Sequence, residues 1–189
     1  PSFGTDALRL TFASLASGSR DINFDVKRVE GYRNFCNKLW NASRFIKLQC
    51  KGYKKSKKFS DDPIDKWIRS EFNKSLESYV DHIDNSRFDL ATQVLYEFIW
   101  EKLCDWYIEF CKIRLNDQSI SNAEKAQIKN SLLDIFEKTL KLAHPMMPFI
   151  TEEIWQSFKE TFKAKEKSIM ISELPTRYLG TSNLKNIES

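Results

Sequence analysis

The chain reads as an all-α protein, an antiparallel bundle of long helices, and three observations point there. Only five Gly and five Pro occur in 189 residues, so breaks are few and long helices are allowed. Between the breaks, apolar residues return at spacings of three and four, the period of a helix with one buried face. Strand-like alternation is confined to Ser168 to Ser172, which reads as one short strand.

The elements follow in order. Thr5 and Asp6 can cap a short first helix bearing Leu8, Phe12, Leu15 and Ala16, stopped by Ser17-Gly18. An arm, Ser19 to Asp25, leads into a long helix from Asp25 to about Leu48. The Lys-rich stretch Gln49 to Phe59 contains Gly52 and reads as a loop. Asp61-Asp62-Pro63 opens a third helix, with Pro63 in the first turn and the acids complementing the helix dipole. Its buried stripe is Ile64, Ile68, Phe72, Leu76, Tyr79, Val80 and Ile83, ending at Asn85. The next helix runs from about Phe88 to Arg114, and Leu95, Tyr96, Phe98, Ile99, Trp100, Leu103, Trp106, Tyr107 and Phe110 cover more than one side of it, which places it centrally.

Polar Asn116 to Asn122 is a loop. A helix over Ala123 to Ala143 then ends at His144, because Pro145 disfavours helical geometry in the residue before it and lacks an amide donor. A last helix spans roughly Phe149 to Lys163. The expected organisation is a junction helix and arm over 1–24, a helical bundle over 25–167, and a partly irregular C-terminal extension over 168–189.

Apolar content of 41% and aromatic content of 13% supply a packed core. No apolar run approaches the roughly 20 residues of a membrane span, and no signal-peptide pattern is seen, so the reading is a soluble intracellular protein. A start at Pro1 without Met reads as a fragment of something longer. Cys36, Cys50, Cys104 and Cys111 form no C-x-x-C pair, and only His82 and His144 are present, so no metal site is expected. Cys104 and Cys111, seven apart, share a helix face and read as reduced core thiols. His144 reads as a helix-end hydrogen-bonding residue. With no carboxylate pair and no Ser, His and Asp set, no catalytic residue is assigned.

Charge is the informative anomaly. Between Gly31 and Ser60 there is no Asp or Glu, against nine Arg and Lys, while the whole chain is only +4. Such a focus suits a polyanion. On a helical wheel with Arg33 at zero, Asn37 falls at about +40°, Trp40 at about −20°, Asn41 at about +80° and Arg44 at about +20°. Tyr32, Cys36, Leu39, Ser43 and Ile46 lie at about −60° to −140°, a separate face for the bundle. Guanidinium and amide groups can pair with base edges or phosphates, and an aromatic ring can stack on a splayed base. A merely solvated face would have a similar composition, but Asn34, Asn37 and Asn41 crowd into eight residues against their helix propensity. Trp40, at the stripe's edge, fits either a stacking role or the core. Lys51 to Lys58 fits either a mobile charged loop or non-specific phosphate attraction.

These residues also carry a family resemblance. Gly31-Tyr32-Arg33-Asn34-Phe35-Cys36-Asn37-Lys38-Leu39-Trp40-Asn41-Ala42-Ser43-Arg44-Phe45 resembles the start of the anticodon-binding domain of class I aminoacyl-tRNA synthetases, nearest to the bacterial-type valyl branch. Phe3-Gly4-Thr5-Asp6-Ala7-Leu8-Arg9, Gly18-Ser19-Arg20-Asp21-Ile22-Asn23-Phe24 and the block from Ala143 to Trp155 are similar to the same family. Lys54-Lys55-Ser56-Lys57-Lys58 resembles that family's Lys-Met-Ser-Lys-Ser loop only superficially, since the Met and final Ser are missing. Isoleucyl and leucyl relatives share the domain, and a purely structural helical domain is the other alternative.

The resemblance implies a helical domain that binds the anticodon arm of tRNA(Val) and joins the catalytic domain of a longer, monomeric cytoplasmic enzyme. That parent would use ATP and Mg in a catalytic part absent here; no cofactor is expected in this chain. Valine anticodons end in A-C, so the implied anticodon-binding residues are Arg33, Asn34, Asn37, Trp40, Asn41 and Arg44. Lys38, Lys47, Lys51, Lys54 and Lys55 would add phosphate attraction. Arg20 and Asp21 resemble a segment at the domain junction or on the inner side of the tRNA.

Overall fold

The computed structural model describes residues 4–16 and 25–180. Among them every regular element is helical: α1 (Gly4–Leu15), α2 (Val26–Gln49), α3 (Pro63–Asp84), α4 (Phe88–Glu97), a π-helical segment (Phe98–Tyr107), α5 (Ile108–Asn116), α6 (Asn122–Ala143), α7 (Pro148–Phe162) and a 3-10 turn (Ile169–Ile171). Arg20 and Asp21 lie outside the described residues.

Local chemistry sets most boundaries. Asp25 caps α2 by accepting from the Lys27 amide at 2.9 Å, and Asp62 caps α3 through the Ile64 amide with Pro63 in the first turn. Ser121 and Glu124 form a reciprocal capping box on α6. The start of α7 has no cap from its own flank. Its Phe149 and Ile150 amides instead donate to the buried carboxylate of Asp6, at 3.3 and 2.7 Å. Asp6 was expected to cap its own helix; it faces inward from α1 and ties that helix to α7.

The long helix expected over Phe88 to Arg114 is continuous to Asn116 but changes register over Phe98–Tyr107. Its buried residues come in pairs, Phe98 with Ile99, Leu103 with Cys104 and Tyr107 with Ile108, at steps of five and four. That spacing is too long for one face of an α-helix, and the wider i→i+5 turn brings the pairs into line. The same mismatch made the apolar residues appear to cover several sides. Trp106 stays 56% exposed.

One core joins the helices, with Trp155, Phe136, Phe158, Phe35, Phe72, Phe98 and Tyr107 among its fully buried side chains. All four cysteines are buried and free. Burial pushes the thiols of Cys36, Cys50 and Cys104 up to about 12, so they remain neutral packing groups.

Ser168 to Ser172 is not a strand. Glu152 accepts from the Ser168 hydroxyl at 2.8 Å and the Ile169 amide at 3.0 Å, and with no strand among the described residues to pair with, the segment closes into the 3-10 turn. The chain beyond it is held by Tyr178, which exchanges two hydrogen bonds with Asn73 on α3 and donates its hydroxyl to Asp134 on α6 at 2.6 Å.

Candidate nucleic-acid interface

Two faces of α2 separate cleanly. Cys36, Leu39, Ser43 and Ile46 are buried against the bundle, as their wheel positions require, and Phe35, which the wheel reading did not include, is buried beside them at about −160°. Tyr32 is only partly buried, with its ring edge-on to Tyr96 at 6.3 Å. Arg33, Asn34, Asn37, Asn41 and Arg44 are all exposed along the other side. The only ion pair on this stripe among the described residues is Arg33 to Glu30 at 3.7 Å, with both side chains about 60% exposed, a tether too weak to withhold the guanidinium from a ligand.

Lys47 is exposed at about −40° from Arg33 and extends the stripe by another turn. Its wheel position was readable from the sequence. Trp40 is half-buried and packs against the core, so only an edge borders the polar face. Lys38 points away from the stripe. Its ammonium pairs with Asp105 at 2.5 Å and lies 3.9 Å over the Trp100 ring, so it links α2 to the π segment.

The Lys-rich segment divides in the same way. It is not a free loop: the Lys55 amide donates to the Thr161 carbonyl, the Ser56 amide to Asn130, the Ser60 amide to Ser131, and the Tyr53 hydroxyl to the Ala126 carbonyl. Lys55 turns inward, 2.6 Å from Asp134 and 2.7 Å from Glu137. Burial alone would pull its pKa down, but the two carboxylates outweigh that and leave it raised. Lys55 is therefore committed to a structural ion pair, whereas Lys51, Lys54, Lys57 and Lys58 are exposed. If the exposed lysines attract phosphate, Lys51→Ala with Lys54→Ala should flatten the salt dependence of RNA binding by about 0.7 for each phosphate no longer neutralised. Lys55→Met should lower stability without changing that slope, as read by urea unfolding and titration at several salt concentrations.

The arrangement offers guanidinium and amide donors along one exposed helix with lysines beyond its C-terminal end, a surface suited to phosphates and unstacked bases. Among the described residues no group of three or more His, Cys, Asp or Glu could hold a metal, and no helix is long and apolar enough to cross a membrane. His144 accepts or donates at Nδ1 with the Thr151 hydroxyl, 2.8 Å away, across the junction of α6 and α7.

Residues 65–188 match a family model described as the anticodon-binding domain of tRNA ligase. A valine–tRNA ligase of Psychrobacter arcticus is 48% identical over 184 residues, covering 93% of this chain and 19% of the relative. One from Francisella tularensis is 47% identical over 92% of this chain and 19% of its own length, and one from Buchnera aphidicola is 50% identical over 92% and 18%. The likeness thus extends through α2, upstream of the family-model match, and the chain spans about a fifth of the length of these relatives.

Proposed function

Since the chain belongs to the anticodon-binding domains of tRNA ligases, we propose that it is the part of a valine–tRNA ligase that holds the anticodon arm of tRNA(Val) while a catalytic domain elsewhere in the parent charges the other end. The observation that carries this reading is the exposed Arg33, Asn37, Asn41 and Arg44 stripe on α2, set apart from the helix's packing face. Asn can pair with an adenine edge, and Arg can hold a phosphate or stack on a base, which suits the A-C pair that ends every valine anticodon. Asn34, Lys47 and the exposed edge of Trp40 complete the surface.

The parent works as a cytoplasmic monomer, and the ATP and Mg it uses belong to its catalytic part. This chain binds and positions RNA without charging it. Arg20 and Asp21 serve the junction with that catalytic part or the inner side of the tRNA.

Arg33→Ala with Asn37→Ala should remove the preference for stem-loops whose anticodon ends in A-C. The measurement is a filter-binding titration of matched and mismatched stem-loops at several salt concentrations. Undiminished discrimination by the double variant would take the reading away from α2.

A further inference from the structure

Residues 173–180 run from the 3-10 turn to the seam between α3 and α6, where Tyr178 anchors them. Its hydroxyl donates to Asp134 Oδ2 at 2.6 Å, while Asp134 Oδ1 holds the Lys55 ammonium at 2.6 Å. One carboxylate thus ties the C-terminal segment and the Lys-rich segment to the same turn of α6. Arg69 on α3 makes a second link. Its guanidinium lies 5.8 Å from the Tyr178 ring and 5.6 Å from the Phe59 ring, and it donates to the Ser60 carbonyl at 2.9 Å. The Lys-rich segment is further bonded to α6 by the Ser56 amide to Asn130 and the Ser60 amide to Ser131.

Lys138 is the member out of place. Asp134 and Lys138 stand four apart on α6 with the acid nearer the N-terminus, the favoured order for an ion pair along a helix. Yet among the described residues Lys138 is in no ion pair, whereas Lys55 and Lys141 hold Glu137 at 2.7 and 3.0 Å. The Lys138 ammonium instead donates to the Thr176 carbonyl at 2.8 Å and lies 3.9 Å over the Tyr178 ring. Burial pulls its pKa down more than the nearby Asp134 and Glu137 pull it up. Burial, and then the Asp134 charge, raise the Tyr178 hydroxyl's pKa, so that group stays protonated and donates. Three lysines therefore surround two carboxylates, and the position of Tyr178 decides which of them Asp134 serves.

We propose that residues 173–180 are a latch on the Lys-rich segment. With Tyr178 seated, Lys138 is held by the ring and the Thr176 carbonyl, and Asp134 is left to Lys55. With Tyr178 withdrawn, Asp134 loses its hydroxyl donor, Lys138 turns to it along α6, and Lys55 is displaced, which loosens the segment from Asn130 and Ser131. The two arrangements differ in the lysine that Asp134 holds, so they are discrete alternatives. By linkage, a firmly seated Lys55 favours the latched C-terminal segment to the same extent. On the RNA-binding reading above, the latch fixes where Lys54, Lys57 and Lys58 stand and leaves their number unchanged; the latch itself does not depend on that reading.

The test is amide hydrogen exchange on this chain without RNA. In Tyr178→Ala the Ser56 and Ser60 amides should exchange about tenfold faster through local opening, while Phe149 and Ile150 in α7 keep the parent's rates. Tyr178→Phe, which keeps the ring over Lys138 and loses only the hydroxyl, should give a smaller rise. Adding Lys138→Met to Tyr178→Ala should restore most of the lost protection, because the competing ammonium is gone; a loss of packing alone would lower protection further. Unchanged exchange at Ser56 and Ser60, an equal rise at Phe149 and Ile150, or no rescue by Lys138→Met would each overturn the proposal.

Discussion

Arg114→Met is expected to lower the unfolding free energy by about 3–5 kcal/mol, because it strands a charge where water cannot reach. Asp65 on α3 is fully buried, and its Oδ2 lies 2.8 Å from Arg114 Nη1 on α5. The Tyr107 hydroxyl donates to the other oxygen at 2.5 Å. Arg114 Nη2 also donates to the Ser60 hydroxyl at 3.1 Å, tying the end of the Lys-rich segment to the same knot. Desolvation is offset only while all partners are present. For a chain of this size the loss corresponds to a fall in Tm of about 6–20 °C. Adding Asp65→Asn to Arg114→Met should return part of it, with a coupling of about 1–3 kcal/mol in a double-mutant cycle followed by urea unfolding. Additive losses would mean that the pair does not act as a unit.

Asp6→Ala is expected to cost about 2–3 kcal/mol, since two amide donors at the start of α7 lose their acceptor in a buried place. Burial raises the Asp6 carboxyl by more than the two amides and nearby Arg9 lower it. The folded state therefore holds this proton more tightly than the unfolded chain. The part of the stability linked to this proton is complete below the ordinary value of 3.8 and is lost as pH rises through the folded value, while the two amide hydrogen bonds remain. Unfolding measured across that window should show the slope in the parent chain and lose it in Asp6→Ala. Amide exchange should rise first at Phe149 and Ile150; exchange unchanged there would show that α7 does not depend on this cap.

The helices were legible because their signals are local. Asp62-Pro63 starts α3 through backbone chemistry confined to a few residues; α6 ends just before Pro145, which has no amide to donate, although His144 itself keeps helical φ and ψ against the expectation that Pro145 would displace it. The two faces of α2 were legible for the same reason, since a wheel needs only the helix's own sequence. The π segment was half legible: its apolar pairs were visible, but their longer period was read as burial on several sides. Ser168 to Ser172 alternated like a strand, yet alternation makes a strand only beside a partner, and Glu152 drew this segment into a turn instead.

Charged side chains divide the site in the same manner. Lys54 and Lys55 are neighbours of identical type, yet one is exposed and the other lies between Asp134 and Glu137, about 80 residues further along the chain. Lys38 shares α2 with Arg33 and Arg44 but turns to Asp105 and Trp100. By itself the sequence determined which segments are helical, which side of α2 is polar, and that positive charge gathers there, all properties of residues a few positions apart. Tertiary structure alone decided which acid neutralises which base and that Asp6 caps a helix from another element. Coulombic and hydrogen-bond partners are chosen by distance in space, which chain order does not set until the core has closed.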